Sequence, residues 1–316
     1  MLEEVRAGGL LPPGAPVVAM LSGGRDSVCL LDLAVRLLGA EAVGALHVNY
    51  GLRDDSGEDE RHCAALCERL GVALEVERPR RPEGPGNLQA WARDARYAAA
   101  ARLALPHGAT IATGHTADDQ VETILYRLAS SPSRRALLGM RSRDGQLVRP
   151  LLPFTRERTT SYCEERELVW RDDATNAELT FARGRVRHGL VPALKAIHPA
   201  AAENVLRTAA LLRDEAAVLD ALVDAEIDGE GERGTIALER LAELPPALRR
   251  LVVQRLADRA AGRPIPGAAN HADEVAGLRR TGTAMLDLGG GVRAVVERGV
   301  LRAEHQPPRS RRASYI

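Results

Sequence analysis

Lysine is almost missing: of the 43 basic residues in this 316-residue chain, Lys195 is the one that is not arginine. The phosphate-binding pattern G-x-x-x-x-G-K-[ST] needs a lysine directly after glycine, and Lys195 follows Leu194, so a P-loop of that type is excluded. Net charge is missing as well, since 43 acidic side chains balance the basic ones. That balance argues against indiscriminate nucleic-acid binding but leaves room for a local basic stripe. Four cysteines (Cys29, Cys63, Cys67 and Cys163) are too few for a disulfide scaffold, and reduced thiols in a cytoplasm are expected. No run of about 18 uncharged apolar residues occurs, and the acidic start MLEEVRAGGLLPPG lacks an apolar core. Neither a membrane span nor a signal peptide is therefore expected. What is present, 45% hydrophobic and 27% charged residues, excludes disorder and fits about two globular domains.

The neutral total conceals an uneven spread. Residues 1–129 hold 13 basic against 18 acidic side chains, residues 130–200 hold 13 against 8, and residues 201–316 hold 17 of each. Through the first half, short apolar runs at residues 16–21, 42–48, 72–77 and 110–113 alternate with helix-period segments at 28–38, 58–70, 88–104 and 117–129. Strands alternating with helices of this length predict βαβ units, hence an α/β fold with a doubly wound, mostly parallel, Rossmann-like sheet. Two stretches break the rhythm: residues 78–86, rich in Pro, Gly and Arg, and residues 171–185, which lack a period and read as a functional or mobile loop. From Ala200 a long helix runs to Ile227, followed by helices from Ile236 to Ala260 and two strands around Gly289–Gly291. The expected domains are 1–199, catalytic, and 200–316, a long helix plus a smaller α+β unit, with a frayed tail from Pro307.

The chemistry concentrates in Ser22, Gly23, Gly24, Arg25, Asp26 and Ser27, where the first strand ends and the first helix begins. In a parallel sheet this is the carboxyl edge, where ligands bind. The glycines permit positive φ and close backbone approach, the helix start offers N–H donors to an anion, and the serines add hydroxyls. Asp26 would repel bare phosphate, so it is read as orienting a metal-bound water or a nucleophile. A plain N-cap with a glycine turn is the alternative, which the full S-G-G-x-D-S pattern disfavours.

These residues resemble the signature of the PP-loop ATP pyrophosphatases, which cleave ATP between the α and β phosphates and adenylate an oxygen that a nucleophile then displaces. Further segments are similar to the tRNA(Ile)-lysidine synthetases within that family: H-V-N-Y-G-L-R from His47 to Arg53, G-H-T-A-D-D-Q-V-E-T from Gly114 to Thr123, R-P-L-L from Arg149, W-R-D-D-A-T-N from Trp170, and R-G-R-V-R-H from Arg183 to His188. The resemblance covers about residues 16–200. It implies ATP with Mg²⁺ as cofactor, with no metal ligands assigned, and free L-lysine and a tRNA(Ile) with a CAU anticodon as partners. The implied reaction adenylates O2 of the wobble cytidine and attaches lysine through its ε-amine, giving lysidine, AMP and pyrophosphate. It also implies that Asp119 and Glu122 hold the lysine substrate. Spacing alone, i and i+3 on one helix face, leaves them equally readable as ordinary acids near a helix N-terminus. His115 is read as a nucleotide contact or proton carrier, with a structural strand-end histidine as the alternative. Arg185 is expected to reach the ATP phosphates as a catalytic residue. Arg183, Arg187, Arg134 and Arg135 are expected to meet tRNA, although a solvated charge run would look the same. The sequence departs from the family at Ser130–Ser133, Thr116 and Gly184, which bears on loop geometry and RNA contacts.

Rival readings have less support. A PP-loop tRNA thiolase is the nearest alternative, but no C-x-x-C occurs; an amidotransferase-type synthetase lacks its glutaminase domain; a non-enzymatic tRNA-binding module would need a broken loop. The G-x-G-x-x-G match at Gly229–Gly234 follows a helix and is crowded with acids, so it reads as a linker. His62, Cys63 and Cys67 share a helix face without further ligands for a metal. Oligomeric state is left open, a homodimer included.

Overall fold

The computed structural model describes residues 1–52, 56–81, 87–131, 134–171, 182–228 and 234–306. Several sequence expectations fall outside them: Arg53 to Asp55, the glycine-rich end of the 78–86 loop, Pro132–Ser133, the W-R-D-D-A-T-N block beyond Arg171, the acidic linker and the tail. The chain divides into two compact units, Met1–Leu211 and Leu212–Ile316. The boundary expected at residue 200 marks the start of a helix, and the division falls further along it.

In the first unit the order is α1 (Leu2–Ala7), β1 (Val17–Met20), α2 (Arg25–Leu38), β2 (Val43–Val48), α3 (Ser56–Leu70), β3 (Ala73–Glu77), α4 (Leu88–Ala104), β4 (Thr110–Ala112), α5 (Ala117–Ser130) and α6 (Arg134–Leu137). Short strands β5 (Arg143–Asp144) and β6 (Leu147–Val148), α7 (Arg156–Glu165), α8 (Ala182–Arg185), a π-helical turn at Val186–Leu190 and α9 (Val191–Ile197) follow. The sheet order is β3-β2-β1-β4-β6-β5, parallel throughout except that β5 runs antiparallel to β6. The doubly wound expectation holds. The β5–β6 edge was missed, because two-residue strands carry no periodic signal.

Every residue of β1 is buried, as a strand covered on both faces requires. Val17 and Ala19 face α2, α3 and α7 through Leu30, Leu31, Leu33, Cys63 and Tyr162. Val18 and Met20 face α4 through Ala99, Ala100 and Ala104. Each fully buried leucine here contributes about 1.5–3 kcal/mol. Three side-chain contacts brace α7 against α2: Thr159 donates to Asp26 at 2.5 Å, Tyr162 donates to Asp32 at 2.5 Å, and Arg36 donates to Tyr162 at 3.3 Å.

The second unit contains the later part of α10 (Ala201–Ile227), β7 (Thr235–Ala237), α11 (Leu238–Glu243), α12 (Pro246–Ala261), α13 (Ala272–Ala276), β8 (Thr283–Gly289), β9 (Val292–Glu297) and β10 (Val300–His305). Its antiparallel sheet, ordered β7-β10-β9-β8, packs Val292, Ala294, Val296 and Leu301 with Val252, Val253 and Leu256 of α12. Two strands were expected and four are present. Ile236 opens on a strand rather than a helix, and Arg298–Gly299, both at positive φ, turn the chain into β10. No helix among the described residues is long and apolar enough to cross a membrane.

Candidate active site

The sheet order reverses between β1 and β4, so the loops leaving these two strands part around a crevice. A cleft of about 570 Å³ opens there. Its floor is the turn from Ser22 to Ser27. The Ser22 N–H donates to Ser27 Oγ at 3.1 Å, the two serine hydroxyls lie 3.1 Å apart, and Ser27 Oγ donates to the Gly24 carbonyl at 2.7 Å. Gly23 sits at φ +86°, which only glycine adopts easily, and a Cβ there would lie 3.3 Å from Cys63 Sγ. Gly24 does not share that conformation, contrary to the expectation for both glycines: it is the extended N-cap of α2 at φ −76°. Having no side chain, it leaves the helix start without a side-chain cap, and residues Gly24 to Ser27 at that start line the cleft.

The second loop is held against the first. A Cβ on Gly114 would come within 2.7 Å of the Asp26 carbonyl oxygen, so the two loops touch backbone to backbone. From below, buried His47 hydrogen-bonds through Nδ1 to the Leu21 carbonyl at 3.0 Å, steadying the residue before the turn. His115 lines the cleft, with Nδ1 2.8 Å from Thr113 Oγ1. Burial pushes its pKa down to about 4, Arg183, Arg149 and Arg96 push the same way, and Asp119 opposes them. It is neutral at pH 7.

The acid pair is wired differently from any reading of the sequence. Asp119 and Glu122 are buried, and three guanidiniums converge on them. Glu122 accepts from Arg156 at 2.9 Å, Arg187 at 2.7 Å and Arg183 at 3.0 Å. Asp119 accepts from Arg156, from Arg183 at 3.1 Å, and from the Thr116 N–H at 2.9 Å in a capping box. Burial raises both carboxyl pKa values, but the arginines outweigh it and hold both below their usual range. Residues 182–185, the end of the expected 171–185 loop, are helical and continue into the turn that carries Arg187, so Arg183 and Arg187 stand one turn apart over the acids. Arg185 lies on the exposed side. Arg187 and His188 are among the residues lining the cleft; Arg185 is not, among those described. Arg134 and Arg135 lie on the one-turn α6 and do not line it either.

Arg156, Thr159, Arg96 and Tyr50 reach or support the cleft without having been singled out. Arg156 follows the Thr155 N-cap of α7, and its backbone N–H donates to Asp118 at 2.8 Å. Only its place just after the R-P-L-L block could have drawn attention to it. Behind the acid pair a second cavity, about 410 Å³, is lined by Asp118, Glu122, Arg156, Arg187, Pro192 and Lys195, among others. The four cysteines are all buried, and no group of three His, Cys, Asp or Glu residues able to hold a metal occurs among the described residues.

A glycine–serine turn at the switch point, with a braced second loop and a cleft above it, is the arrangement of a PP-loop domain, and that family's model matches residues 12–194. Curated relatives are tRNA(Ile)-lysidine synthases. That of Methylococcus capsulatus is 36% identical over 80% of this chain and 60% of its own length; that of Thermus thermophilus is 38% identical over 80% and 51%; that of Salinispora tropica is 36% identical over 93% and 92%. The chain belongs to the tRNA(Ile)-lysidine synthase family. It spans little more than half the length of the first two relatives and nearly all of the third. Among solved structures, the fold resembles a U34-tRNA thiolase of Methanococcus maripaludis, with a TM-score of 0.56 at 18% identity over 67% of this chain and 77% of that one.

Proposed function

We propose that the protein is an ATP-dependent ligase that converts the wobble cytidine of a CAU-anticodon tRNA(Ile) to lysidine. In the first step cytidine O2 attacks the α-phosphorus of ATP and pyrophosphate leaves. In the second, the ε-amine of free L-lysine bonds to C2, the C2–O2 bond breaks, and AMP departs with that oxygen. The observation that carries this reading is one cleft in which the phosphate-binding turn and buried Asp119 meet, with Glu122 tied to Asp119 through Arg156.

The uncapped start of α2, with Ser22 and Ser27, is suited to the pyrophosphate end of ATP, while Met20, Leu46 and Val48 offer an apolar wall to the base. Asp26, which lines the cleft and is paired with Arg25 at 3.1 Å, would hold a Mg²⁺ ion with phosphates and water once Arg25 swings away, and the ion would neutralise charge on those phosphates. Neutral His115 acts as a hydrogen-bond partner rather than a counter-charge. Asp119 and Glu122 receive the lysine ammonium, which requires at least one arginine to give way. Their depressed pKa values make them binders of a cation and poor bases. Arg187, which lines the cleft as Arg185 does not, takes over the role of reaching the phosphates, and the second unit with Arg134 and Arg135 is assigned to tRNA. The reaction is placed in the cytoplasm.

The test is nucleoside analysis of a CAU-anticodon tRNA after incubation with protein, ATP and lysine, with AMP release followed in parallel. Lysidine and lysine-dependent AMP are expected. Release of AMP that ignores lysine, or a thiolated base formed with a sulfur donor, would overturn the reading.

A further inference from the structure

Four arginines beside the cleft lack what nearly surrounds Arg156, Arg183 and Arg187, namely carboxylates. Arg93 and Arg96 lie on α4, Arg127 on α5, and Arg149 after β6. Among the described residues none of the four forms an ion pair. Arg127 and Arg149 donate, among the described residues, to backbone carbonyls, Gly139 at 2.9 Å and Arg141 at 2.6 Å. The guanidinium carbons of Arg93 and Arg96 lie 4.9 and 5.4 Å from the centre of the Tyr97 ring. Nε of Arg96, Nε of Arg149 and the Tyr97 hydroxyl are buried without a hydrogen-bond partner among the described residues. The four form one electrostatic neighbourhood: besides burial, Arg93 and Arg149 lower the proton affinity of Arg127, and Arg149 and Arg96 repel a proton from His115.

We propose that this face of α4 and α5 binds the phosphodiester backbone of an RNA strand leading into the cleft. The proposal rests on the tRNA reading above and names where that strand runs. Gathering like charges without counter-charges costs stability, so a polyanion is the natural complement. The anion is a strand rather than the nucleotide's own phosphates because Arg96 lines the cleft, whereas Arg93 and Arg127 are not among its described lining residues. Arg96 stands at the rim, exposed Arg93 and half-buried Arg127 extend the charge along α4 and α5, and buried Arg149 adds its field from beneath without touching the strand. Aromatic rings accompany them: Tyr97 under the two guanidiniums, and Tyr50 in the cleft wall, set edge-on to Trp91 at 5.8 Å. Arginines interleaved with aromatic rings are the equipment of single-stranded RNA recognition.

The experiment measures binding of a CAU-anticodon stem-loop RNA at several salt concentrations, using full-length wild-type, Arg93→Glu and Arg127→Gln proteins, with ATP binding measured alongside. Arg93 is exposed, so its replacement tests the site without disturbing the core; thermal melts verify that both variants fold. Arg93→Glu is expected to weaken RNA binding about tenfold or more, and the salt slope should fall by about 0.7–0.9 for each phosphate that is no longer neutralised. ATP affinity should be unchanged. Unaltered RNA affinity and slope in folded Arg93→Glu would overturn the proposal, and so would loss of ATP affinity with RNA binding intact. Lysine-dependent AMP release by the wild type is recorded with the same preparations. Its absence would remove the lysidine reading, while Arg93-dependent RNA binding would still uphold the site.

Discussion

Two adjacent glycines in the turn perform different tasks, and substitution separates them. Gly23→Ala forces a side chain into a left-handed conformation and against Cys63. It should destabilise the protein by about 1–2 kcal/mol, measured by urea denaturation, as well as abolish AMP formation. At Gly24→Val the new Cβ meets ordinary contacts, with Ser22 Oγ 3.5 Å and the Arg171 carbonyl oxygen 3.8 Å away. The protein should stay within about 1 kcal/mol of wild type and still lose AMP formation, because the side chain blocks approach to pyrophosphate. At Glu122 the structure changes what a substitution means. Glu122→Gln weakens the hold on a lysine ammonium, raising the KM for lysine about ten- to a hundredfold. It also leaves three guanidiniums around one carboxylate, a loss of about 3 kcal/mol in stability. Adding Arg183→Gln should recover part of that stability without recovering the KM; recovery of both would show that the acid serves the fold alone. His115 gives the pH signature. Its pKa falls from 6.5 to about 4 on folding, so between those values the unfolded chain binds the proton and the folded protein does not. Its contribution is fully present above about pH 6.5 and is lost as pH falls toward 4, on the order of 3 kcal/mol in all. Replacing His115 with Gln should flatten the stability–pH curve over that interval.

At the scale of elements, alternating apolar runs and helical periods made the parallel sheet legible, and the position of the serine–glycine turn followed from it. What stayed hidden was any partnership that closes over a long sequence separation. Nothing near Glu122 announces Arg156, Arg183 or Arg187, and the arginines at 183, 185 and 187 read as one run until the helix sends the middle one outward. Strands β5, β6, β7 and β10 were missed because they are too short or too polar to beat the helix and loop signals around them. The α2–α7 brace was equally invisible, yet it orients Asp26. Thr159 is fully buried, so Thr159→Val keeps its shape while removing the hydroxyl that Asp26 accepts. The expected result is a stability loss of about 1 kcal/mol and a raised KM for ATP, with the KM for lysine unmoved. A shift confined to lysine would place Asp26 with the amino acid instead.

For the molecule as a whole, zero net charge results from internal cancellation. The acidic first stretch of sequence and the basic second one meet at Asp119 and Glu122, where three arginines are neutralised by the acids, Arg183 while still half exposed. The second unit carries equal numbers of acids and bases, and none of its described residues lines the cleft. Ending the chain at residue 228 should preserve nucleotide binding but weaken tRNA affinity strongly and make its salt dependence shallower. Equal affinity and slope would assign that unit to something other than RNA. The near absence of lysine has a chemical consequence for the proposed reaction. An adenylated base is an electrophile, and any primary amine tethered nearby would attack it at an effective concentration far above that of a free metabolite. Guanidiniums stay protonated and are not nucleophiles at neutral pH. A catalytic unit built almost entirely with arginine thus presents its activated RNA to positive charge without presenting it to competing amines. The single exception, Lys195, lies on the wall of the second cavity, behind the acid pair rather than in the cleft with the phosphate-binding turn. In the proposed reaction, self-capture of the activated RNA would be disfavoured by the scarcity of lysine together with the placement of Lys195 outside the described cleft lining.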